Sequence, residues 1–270
     1  MPDPTVKLLL ADVDGTLVTQ DKELTSQAID AVRDLGKADI TFAITSGRPP
    51  RGMAMLTGPL DIQTPIAAFN GGLLVDRDMN VIEQRVLPED LVEPVAAMMS
   101  GHGLDVWVYR GADWYVPAKD GPHVAREAWT VKFEPTVMKR GLTGLTSNVA
   151  KLVGVSDDHD AVEKATTAVH DQFGDHVTAA QSQPYYLDVT HPLANKGAVA
   201  QYLAKKYRLA ADQIATIGDM PNDVLMFAHS GLSIAMGQSS TEVKRAARRV
   251  TTSNEDEGFA TAVRRFILRK

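Results

Sequence analysis

The most constraining feature of this 270-residue chain is a short apolar run that ends in two aspartates. Residues 8–11 (LLLA) are followed at once by residues 12–16 (DVDGT). The apolar run predicts a buried strand, and the Gly-Thr pair predicts a turn at its end. Because residues i and i+2 of a strand point the same way, Asp12 and Asp14 can face one shared site. Two close carboxylates repel and are costly to bury, so the pattern indicates either a cation between them or a solvated turn.

Strand and helix patterns alternate towards both ends of the chain. Residues 25–37 have the spacing of an amphipathic helix, and apolar runs at 40–44 and 65–69 predict two further strands. Later in the chain, residues 196–206 predict a helix that leads to a strand at 214–217. Such alternation favours right-handed βαβ units and a parallel sheet. We therefore predict an α/β fold with a Rossmann-like parallel-sheet core.

The middle of the chain has a different pattern. Apolar and aromatic residues at 106–109 and 114–116 predict a pair of strands, and helix and strand signals mix over the whole segment. All three tryptophans of the chain fall in this part. The pattern predicts an inserted α+β domain at residues 85–189, with the core formed by residues 1–84 and 190–270.

Composition narrows the range of functions. The formal net charge of -6 argues against a nucleic-acid partner that needs a broad basic surface. The chain has no cysteine, which excludes disulfides, thiolate catalysis and cysteine-based metal sites. It also lacks an apolar stretch of the ~20 residues that span a bilayer, and its start lacks a signal-peptide pattern. We predict a cytoplasmic monomer or homodimer without a membrane partner.

Polar residues follow the predicted strands of the core and begin one of its helices. Because ligands of open α/β sheets bind at the carboxyl ends of the strands, we expect these residues to meet at one site. Carboxylates favour Mg²⁺, whereas hydroxyl, lysine and backbone N–H groups favour phosphate. The set therefore predicts Mg²⁺-assisted phosphoryl transfer. Its members are Asp12 and Asp14, Thr45 to Arg48, Asn70 to Gly72, Asn195 to Gly197, and Gly218, Asp219, Asn222 and Asp223.

Taken in order along the chain, these segments resemble the motifs of a known family. The sequences DVDGT (12–16), SGR (46–48), NKG (195–197) and GDMPND (218–223) are similar to the four motifs of haloacid-dehalogenase-like (HAD) hydrolases. NGG (70–72) also matches. Within that family the chain resembles the Cof-type branch, whose members carry a large α/β cap between the second and third motifs. The resemblance implies that the inserted domain is such a cap.

The resemblance also implies that two aspartates carry out the chemistry. Asp12 would be the nucleophile that forms an aspartyl-phosphate, since a carboxylate attacks phosphorus without first losing a proton. Asp14 would protonate the leaving oxygen and then act as a base on water. The Mg²⁺ cofactor would be held by Asp12, Asp219 and the backbone carbonyl of Asp14. Magnesium keeps several of its waters, which suits so few protein ligands.

Other residues would bind the phosphoryl group or support the site, and some of these assignments have alternatives. Arg48 fits a structural ion pair as well as a substrate contact. Asn70 and Gly71 also fit a plain hairpin turn. Thr45 is a rival for the hydroxyl role of Ser46, although the Gly-Arg pair that follows favours Ser46. The phosphate-binding set implied by the resemblance is Ser46, Gly47, Arg48, Lys196 and Asn222, with Asp223, Asn70 and Gly71 in support.

We therefore predict a Mg²⁺-dependent phosphatase that acts on a small phosphorylated metabolite, with a sugar phosphate favoured. One alternative is a sugar phosphomutase of the same architecture. Another is a non-catalytic sensor of phosphorylated ligands, although such a protein would usually lack a nucleophile, an acid or a metal carboxylate. A dinucleotide enzyme lacks its G-x-G-x-x-G sequence after the first strand. Candidates for substrate specificity in the cap are Trp107, Tyr109, Trp114, Tyr115, His123, Gln183 and Tyr185.

Overall fold

The computed structural model describes residues 6–269 and builds them into two sheets surrounded by helices. Strands towards both ends of the chain form the first sheet, and strands from the middle form the second. The fold is therefore α/β, with a Rossmann-like core and an inserted α+β cap, which confirms the predicted fold class. The domain limits at 84/85 and 189/190 stay a prediction. Residues 1–5 and 270, which the predicted core includes, lie outside the described residues.

The strands of both sheets, together with the separate short strand Lys139–Leu142, are numbered in chain order. They are β1 (Leu8–Asp12), β2 (Thr41–Thr45), β3 (Ile66–Ala68), β4 (Leu73–Val75), β5 (Val81–Gln84), β6 (Asp105–Arg110), β7 (Asp113–Val116), β8 (Thr136–Val137), β9 (Lys139–Leu142), β10 (Val149–Val155), β11 (Thr178–Gln183), β12 (Tyr186–Thr190), β13 (Ile214–Gly218), β14 (Leu232–Ala235) and β15 (Arg249–Val250).

The α-helices are numbered in the same way. They are α1 (Ser26–Lys37), α2 (Ala54–Thr57), α3 (Glu89–Gly101), α4 (Val124–Val131), α5 (His159–Phe173), α6 (Lys196–Tyr207), α7 (Val224–Phe227), α8 (Thr241–Ala246) and α9 (Gly258–Ala262). Short 3-10 turns cover Pro50–Met53, Phe69–Gly71, Ala211–Gln213, Pro221–Asp223 and Asn254–Asp256, and a π-helical turn, Val263–Leu268, follows α9.

The core sheet has the strand order β15-β14-β13-β1-β2-β3-β4-β5. Neighbouring strands from β15 to β3 run parallel, whereas β4 and β5 add antiparallel strands at one edge. The chain proceeds from β1 to β2 on one side and returns to β13 on the other, so the strand order switches direction between β1 and β13. A crevice opens outside the carboxyl ends of the strands at such a switch point, and ligands bind there.

Strand β1 is buried on both faces, as expected of a central parallel strand. Leu8 and Leu10 belong to the apolar cluster that contains Val199 of α6, whereas Leu9 and Ala11 belong to the cluster on the side of α1 and α9. Complete burial of one leucine side chain contributes about 1.5–3 kcal/mol. Two helical layers therefore fix the position at which β1 ends.

The cap sheet has the order β11-β12-β10-β6-β7-β8 and two different faces. Val106, Val108, Leu152 and Leu187 share an apolar cluster with residues of α3 and α5. Alternate residues of the same strands, such as Trp107 of β6, belong instead to the apolar cluster that also contains side chains of the core domain. One face of the cap sheet is thus covered by its own helices, and the other is turned towards the core.

Several contacts join the cap to the core segments that follow β2 and β3. The Arg51 guanidinium lies 2.9 Å from the Asp113 carboxylate and 4.3 Å from the centre of the Phe133 ring. The Phe69 ring packs edge-on against Tyr109, with 5.3 Å between the ring centres. The structure therefore has the cap resting on the edge of the core where the predicted site residues lie.

Most core elements agree with the sequence-based expectations, and the differences lie in short elements. The helix predicted from residue 25 is α1, and the Thr25 side chain caps it by accepting a hydrogen bond from the Ala28 N–H. Pro221–Asp223 form a 3-10 turn, which is followed by the four residues of α7. The sequence patterns did not indicate α4, β8, β9, β11 or β15, which depend on contacts with the rest of the fold. None of the helices in residues 6–269 has the length and apolar character needed to cross a bilayer.

We expect Leu9→Ala to lower the thermal midpoint of unfolding by several degrees. Leu9 is fully buried in the central strand, and such a truncation typically costs about 2–5 kcal/mol. Leu193→Ala is the matched control because the Leu193 side chain is 57% exposed. Circular dichroism during heating measures both midpoints. Equal midpoints for the two variants would contradict the described packing of β1.

Candidate active site

The predicted catalytic and metal residues come from the two strands at the switch point. Asp12 is the last residue of β1, and Asp219 directly follows β13. In the parallel register Ala11 is opposite Ile217, which brings the ends of the two strands side by side. The Thr16 hydroxyl donates a 3.4 Å hydrogen bond to Asp219, so the turn after β1 also contacts this carboxylate. The structure therefore places Asp12 and Asp219 at the same crevice.

Two glycines make room for these carboxylates. Gly15 has a φ of +78°, a left-handed conformation that glycine adopts without strain, and a Cβ there would overlap the Asp219 carboxylate. A Cβ on Gly218 would overlap the side chain of Asp223. The glycines of the first and fourth motifs are thus required by close approach of acidic side chains.

Lys196 is the central cation of the site. It is the first residue of α6, where the Asn195 side chain caps the helix by accepting a hydrogen bond from the Ala198 N–H. Its Nζ lies 2.6 Å from an oxygen of Asp12 and 2.6 Å from an oxygen of Asp223. Lys196 and Asp223 are buried, and so is Asp12. An ammonium in this position balances two carboxylates that would otherwise be too costly to bury.

Asp223 uses both of its oxygens inside the protein. One oxygen accepts from Lys196, and the other accepts from the backbone N–H groups of Asp219 and Met220 at 2.9 Å each. These bonds hold the Gly218–Asp223 loop in shape. Asp223 therefore contacts Lys196 and the backbone of Asp219, and the supporting role at the site stays a prediction.

Three carboxylates at the site could hold a metal ion. Asp12, Asp219 and Asp223 each offer an oxygen, and these atoms lie within 4.8 Å of one another. With Lys196 as the neighbouring cation, three ionised carboxylates leave two excess negative charges, which a divalent cation would balance. The side chains of Asp12 and Asp219 each accept one hydrogen bond from residues 6–269, which leaves them lone pairs for a metal. Oxygen donors of this kind suit a hard divalent cation.

The pKa values at the site reflect the crowding of negative charge. Burial raises the pKa of Asp12, and the carboxylates of Asp223 and Asp219 add to the rise against the opposing charge of Lys196. Burial, followed by the charge of Asp223, raises the pKa of Asp219 to about 6. Burial alone would lower the pKa of Lys196, but the Asp12 and Asp223 carboxylates outweigh it and raise that pKa above its usual value. The lysine therefore stays charged.

The Asp14 side chain points to a different set of partners. Nε and Nη2 of Arg48 each donate a 2.7 Å hydrogen bond to the Asp14 carboxylate, and Lys22 lies 2.8 Å from it. Burial raises the pKa of Asp14, but these hydrogen bonds and charges outweigh it and lower the pKa to about 2. Of the two roles considered for Arg48, the structure shows the ion pair. Its predicted contact with phosphate, and the metal contact of the Asp14 carbonyl, stay predictions.

The remaining predicted residues lie around the same crevice. Ser46 follows β2, and its hydroxyl accepts the Arg48 N–H at 3.1 Å. The Asn70 N–H donates to the Ser46 carbonyl at 2.7 Å, and the Asn222 amide donates to the Asn70 side chain at 3.4 Å. A Cβ added to Gly47 would stand 3.8 Å from the Asn70 amide, so these two loops are neighbours. The structure thus brings together the loops that follow β2, β3 and β13.

Two details of these loops bear on the alternatives. The Thr45 hydroxyl is buried and has no hydrogen-bond partner within residues 6–269, so it stays a rival to Ser46. Asn70 and Gly71 lie in a 3-10 turn, and the Gly71 carbonyl is 3.5 Å from the Arg85 guanidinium. They join the antiparallel strands β3 and β4, so the hairpin turn is present, and their supporting role at the site stays a prediction.

The cap residues predicted to determine substrate specificity lie in different surroundings. Trp107, Tyr109 and Trp114 are buried on the face turned towards the core. Tyr115 packs on the opposite side of the sheet with the cap helices, and Gln183 is exposed. The sequence patterns missed two charged residues that the structure places here. These are Lys22, in the loop before α1, and Glu127 of α4, which binds the Tyr109 hydroxyl.

The site and the fold define a haloacid-dehalogenase-like hydrolase. The model of that family matches residues 9–263, so the chain belongs to it. This confirms the family resemblance seen in the sequence motifs, including the Cof-type branch. The match covers both the core and the cap, and therefore extends beyond the four short motifs that first indicated it.

Individual relatives agree with this assignment over their full length. A candidate phosphatase of Streptococcus pyogenes serotype M6 is 26% identical over 270 residues, with 98% of this chain and 99% of the relative covered. YcsE of Bacillus subtilis, a 5-amino-6-(5-phospho-D-ribitylamino)uracil phosphatase, is 21% identical over 266 residues, with 98% of each protein covered. A haloacid dehalogenase-like hydrolase structure from Bacteroides thetaiotaomicron superposes with a TM-score of 0.89 at 26% identity, with 97% of this chain and 99% of that one covered. The chain is a phosphatase of this family, that is, a phosphoric monoester hydrolase.

The raised pKa of Asp219 predicts how stability depends on pH without a metal. The pKa of this carboxyl is about 6 in the folded protein, against an ordinary value of 3.8. Its ionisation therefore lowers the free energy of unfolding as the pH rises from about 4 to above 6. Asp219→Asn cannot ionise, so its thermal midpoint should exceed that of the wild type near pH 7.5 in EDTA, with a smaller difference near pH 4. Asp175→Asn, at an exposed site, should follow the wild type at both values. A difference that grows towards low pH would contradict the assignment.

Proposed function

We propose that this phosphatase is Mg²⁺-dependent and hydrolyses a small phosphorylated metabolite, with a sugar phosphate favoured, through an aspartyl-phosphate on Asp12. The observation that carries the proposal is the buried Asp12 carboxylate held 2.6 Å from the Lys196 ammonium at the switch point. A carboxylate fixed beside a cation at this place can attack a phosphorus atom whose oxygens lie against the same cation.

In the first half of the reaction, an Asp12 oxygen attacks phosphorus and the bond from phosphorus to the leaving oxygen breaks. The leaving oxygen takes a proton from the Asp14 carboxyl and departs as an alcohol. Because Arg48 and Lys22 keep Asp14 ionised in the resting structure, Asp14 must first take up that proton from solvent. A bound phosphate ester that attracts Arg48 or Lys22 towards its own oxygens would raise the proton affinity of Asp14 for this step.

In the second half, water attacks the phosphorus of the aspartyl-phosphate. Asp14 accepts a proton from that water, the bond from phosphorus to Asp12 breaks, and inorganic phosphate leaves. Asp14 is ionised after the first half, which is the state that accepts this proton, and it releases the proton to solvent on return to the resting state. Ser46, Gly47, Lys196 and Asn222 would hold the phosphoryl oxygens in both halves, since fixed donors stabilise the charge that develops there.

The proposed metal fits the residues present. Asp12 and Asp219 supply oxygen ligands, with Asp223 in support and the Asp14 carbonyl as a further ligand. Bound Mg²⁺ would neutralise charge on the transferring phosphoryl group. The two excess negative charges of the carboxylate cluster, and its lack of nitrogen and sulfur ligands, favour Mg²⁺ over softer metals.

The relatives support a polyhydroxylated substrate. YcsE is named for a substrate in which the phosphate is on a ribityl chain. A solved structure of the same fold, with a TM-score of 0.82, is described as a sugar phosphatase. The substrates in both names are phosphate esters of polyhydroxylated carbon chains. This supports a sugar or sugar-alcohol phosphate as the substrate of the present protein.

Replacement of the nucleophile tests the covalent route. Asp12→Asn should lower kcat for a generic aryl phosphate by at least about 10³-fold, because the amide is a poor nucleophile. Acid quenching of the wild type with a radiolabelled phosphate ester should leave label on the protein, and the variant should carry none. Asp175→Asn is the control and should retain both turnover and label. Full turnover by Asp12→Asn would refute the covalent mechanism.

Metal removal tests the cofactor. EDTA treatment followed by desalting should abolish aryl phosphate hydrolysis, and added Mg²⁺ should restore it, because the carboxylate cluster then regains its balancing charge. Release of inorganic phosphate should accompany every turnover of a sugar phosphate. Sugar phosphate isomerised without free phosphate would instead indicate a phosphomutase, and undiminished activity after EDTA would contradict metal dependence.

A further inference from the structure

One face of the cap sheet carries polar groups that the proposed catalytic steps leave without a role. Strand register places side chains of β6, β10 and β12 on this face, with Lys151 opposite Tyr109, and Val153 between Trp107 and Asp188. Glu127 of α4 reaches the same face through the Tyr109 hydroxyl. We call this set the cap polar cluster. Its members are Trp107, Tyr109, Glu127, Lys151, Tyr186 and Asp188.

The cap polar cluster is connected to the proposed catalytic Asp14 through Phe69 and Arg48. Tyr109 packs against Phe69, whose N–H donates to the Arg48 carbonyl at 3.0 Å, and Arg48 binds Asp14. Burial is the main cause of the raised pKa of Glu127, and the charge of Asp14 is among the further contributions to that rise. The contacts therefore place the cluster on the core-facing side of the cap, next to the segment that holds Asp14.

Two bonds inside the cluster use some of its polar atoms. The Tyr109 hydroxyl donates to a Glu127 oxygen at 2.8 Å, and Lys151 Nζ donates to Asp188 Oδ2 at 2.8 Å. These bonds fix the direction of both carboxylates. They also engage the one ammonium of the cluster, so that Lys151 is already paired.

Three other polar atoms of the cluster have no such partner. The indole N–H of Trp107, the hydroxyl of Tyr186 and Oδ1 of Asp188 are all buried and make no hydrogen bond with any residue of 6–269. Trp107 is only 1% exposed. Buried polar atoms normally have partners, because leaving them unpaired costs free energy. A donor, an acceptor and a hydroxyl gathered on one face are suited to the hydroxyl groups of a ligand.

The charge of the cluster restricts that ligand further. Glu127 and Asp188 bring two carboxylates against the single ammonium of Lys151, which leaves one excess negative charge when all three are ionised. A second anionic group on the substrate would meet this charge in a buried setting, where like charges repel strongly. Hydroxyl groups or an amine would instead satisfy Asp188 Oδ1.

We propose that the cap polar cluster binds the leaving group of the substrate and selects uncharged or amine-bearing polyhydroxylated leaving groups over anionic ones. This inference rests on the proposed phosphatase function and names the substrate class of the same site. Trp114 is buried and stacks on Tyr109 with 5.8 Å between ring centres and 8° between ring planes, which holds the Tyr109 ring in place.

Three six-carbon phosphates that differ at few positions test the inference. Sorbitol 6-phosphate has an uncharged chain, glucosamine 6-phosphate carries an amine, and 6-phosphogluconate carries a carboxylate. We expect kcat/KM for each of the first two to exceed that for 6-phosphogluconate by at least about tenfold, because only the acid adds a like charge to the cluster. An aryl phosphate is assayed in parallel to report on the catalytic centre.

Two isosteric variants identify the cluster as the cause. Asp188→Asn and Glu127→Gln each remove the excess negative charge with little change of shape. Each should lower the ratio of kcat/KM for sorbitol 6-phosphate to that for 6-phosphogluconate by at least about fivefold. Glu163→Gln is the matched control, because Glu163 is exposed on α5, which covers the other face of the cap sheet. The control should keep the wild-type ratio.

The outcomes separate the inference from the function on which it rests. Loss of aryl phosphate turnover in the wild type with Mg²⁺ would remove both. If the aryl phosphate is hydrolysed, three results would overturn the inference alone. These are equal rates for the three six-carbon phosphates, no hydrolysis of any of them, and a preference for 6-phosphogluconate. An unchanged ratio in both isosteric variants would also overturn it, since the selectivity would then arise elsewhere.

Discussion

The buried ammonium of Lys196 is the interaction on which the rest of the site depends. It lies between Asp12 and Asp223 at 2.6 Å from each, and it joins the first strand, the helix α6 and the loop after β13. Without a cation, these carboxylates could not stay ionised in a buried place. Burial, followed by the charge of Asp223, raises the pKa of Asp219, and the remaining negative charge of the cluster suits it to a divalent metal.

A second ion pair connects this centre to the cap. Arg48 binds Asp14 with two hydrogen bonds and also donates to the Gly52 carbonyl at 3.0 Å. The next residues contact the cap through the Arg51–Asp113 pair. Arg48, one of the two cationic partners of Asp14, therefore belongs to the same short segment that contacts the cap, whereas Lys22 comes from the loop before α1.

Much of the core and of the candidate site could be predicted from sequence. The strand ending in Asp12, the helix beginning at Lys196 and the loop carrying Asp219 were each indicated by local patterns, because strand ends and helix starts have specific residue preferences. Lys22 and Glu127 were not predicted. A lysine in a loop and a glutamate on a short helix have no distinguishing local pattern, and their roles arise from partners far away in the chain. The structure shows those partners to be Asp14 and Tyr109.

By itself, the sequence determined which chemical groups stand at the ends of the core strands, since apolar periodicity and turn residues act over a few neighbours. Only the tertiary structure decided how those groups pair. It assigned Asp14 to Arg48 and Lys22, brought Asp223 beside Asp12 and Asp219, and gathered the polar face of the cap. Lys196 and Asp12 are 184 residues apart, and a contact over such a separation is fixed by strand order and packing, which no local pattern encodes.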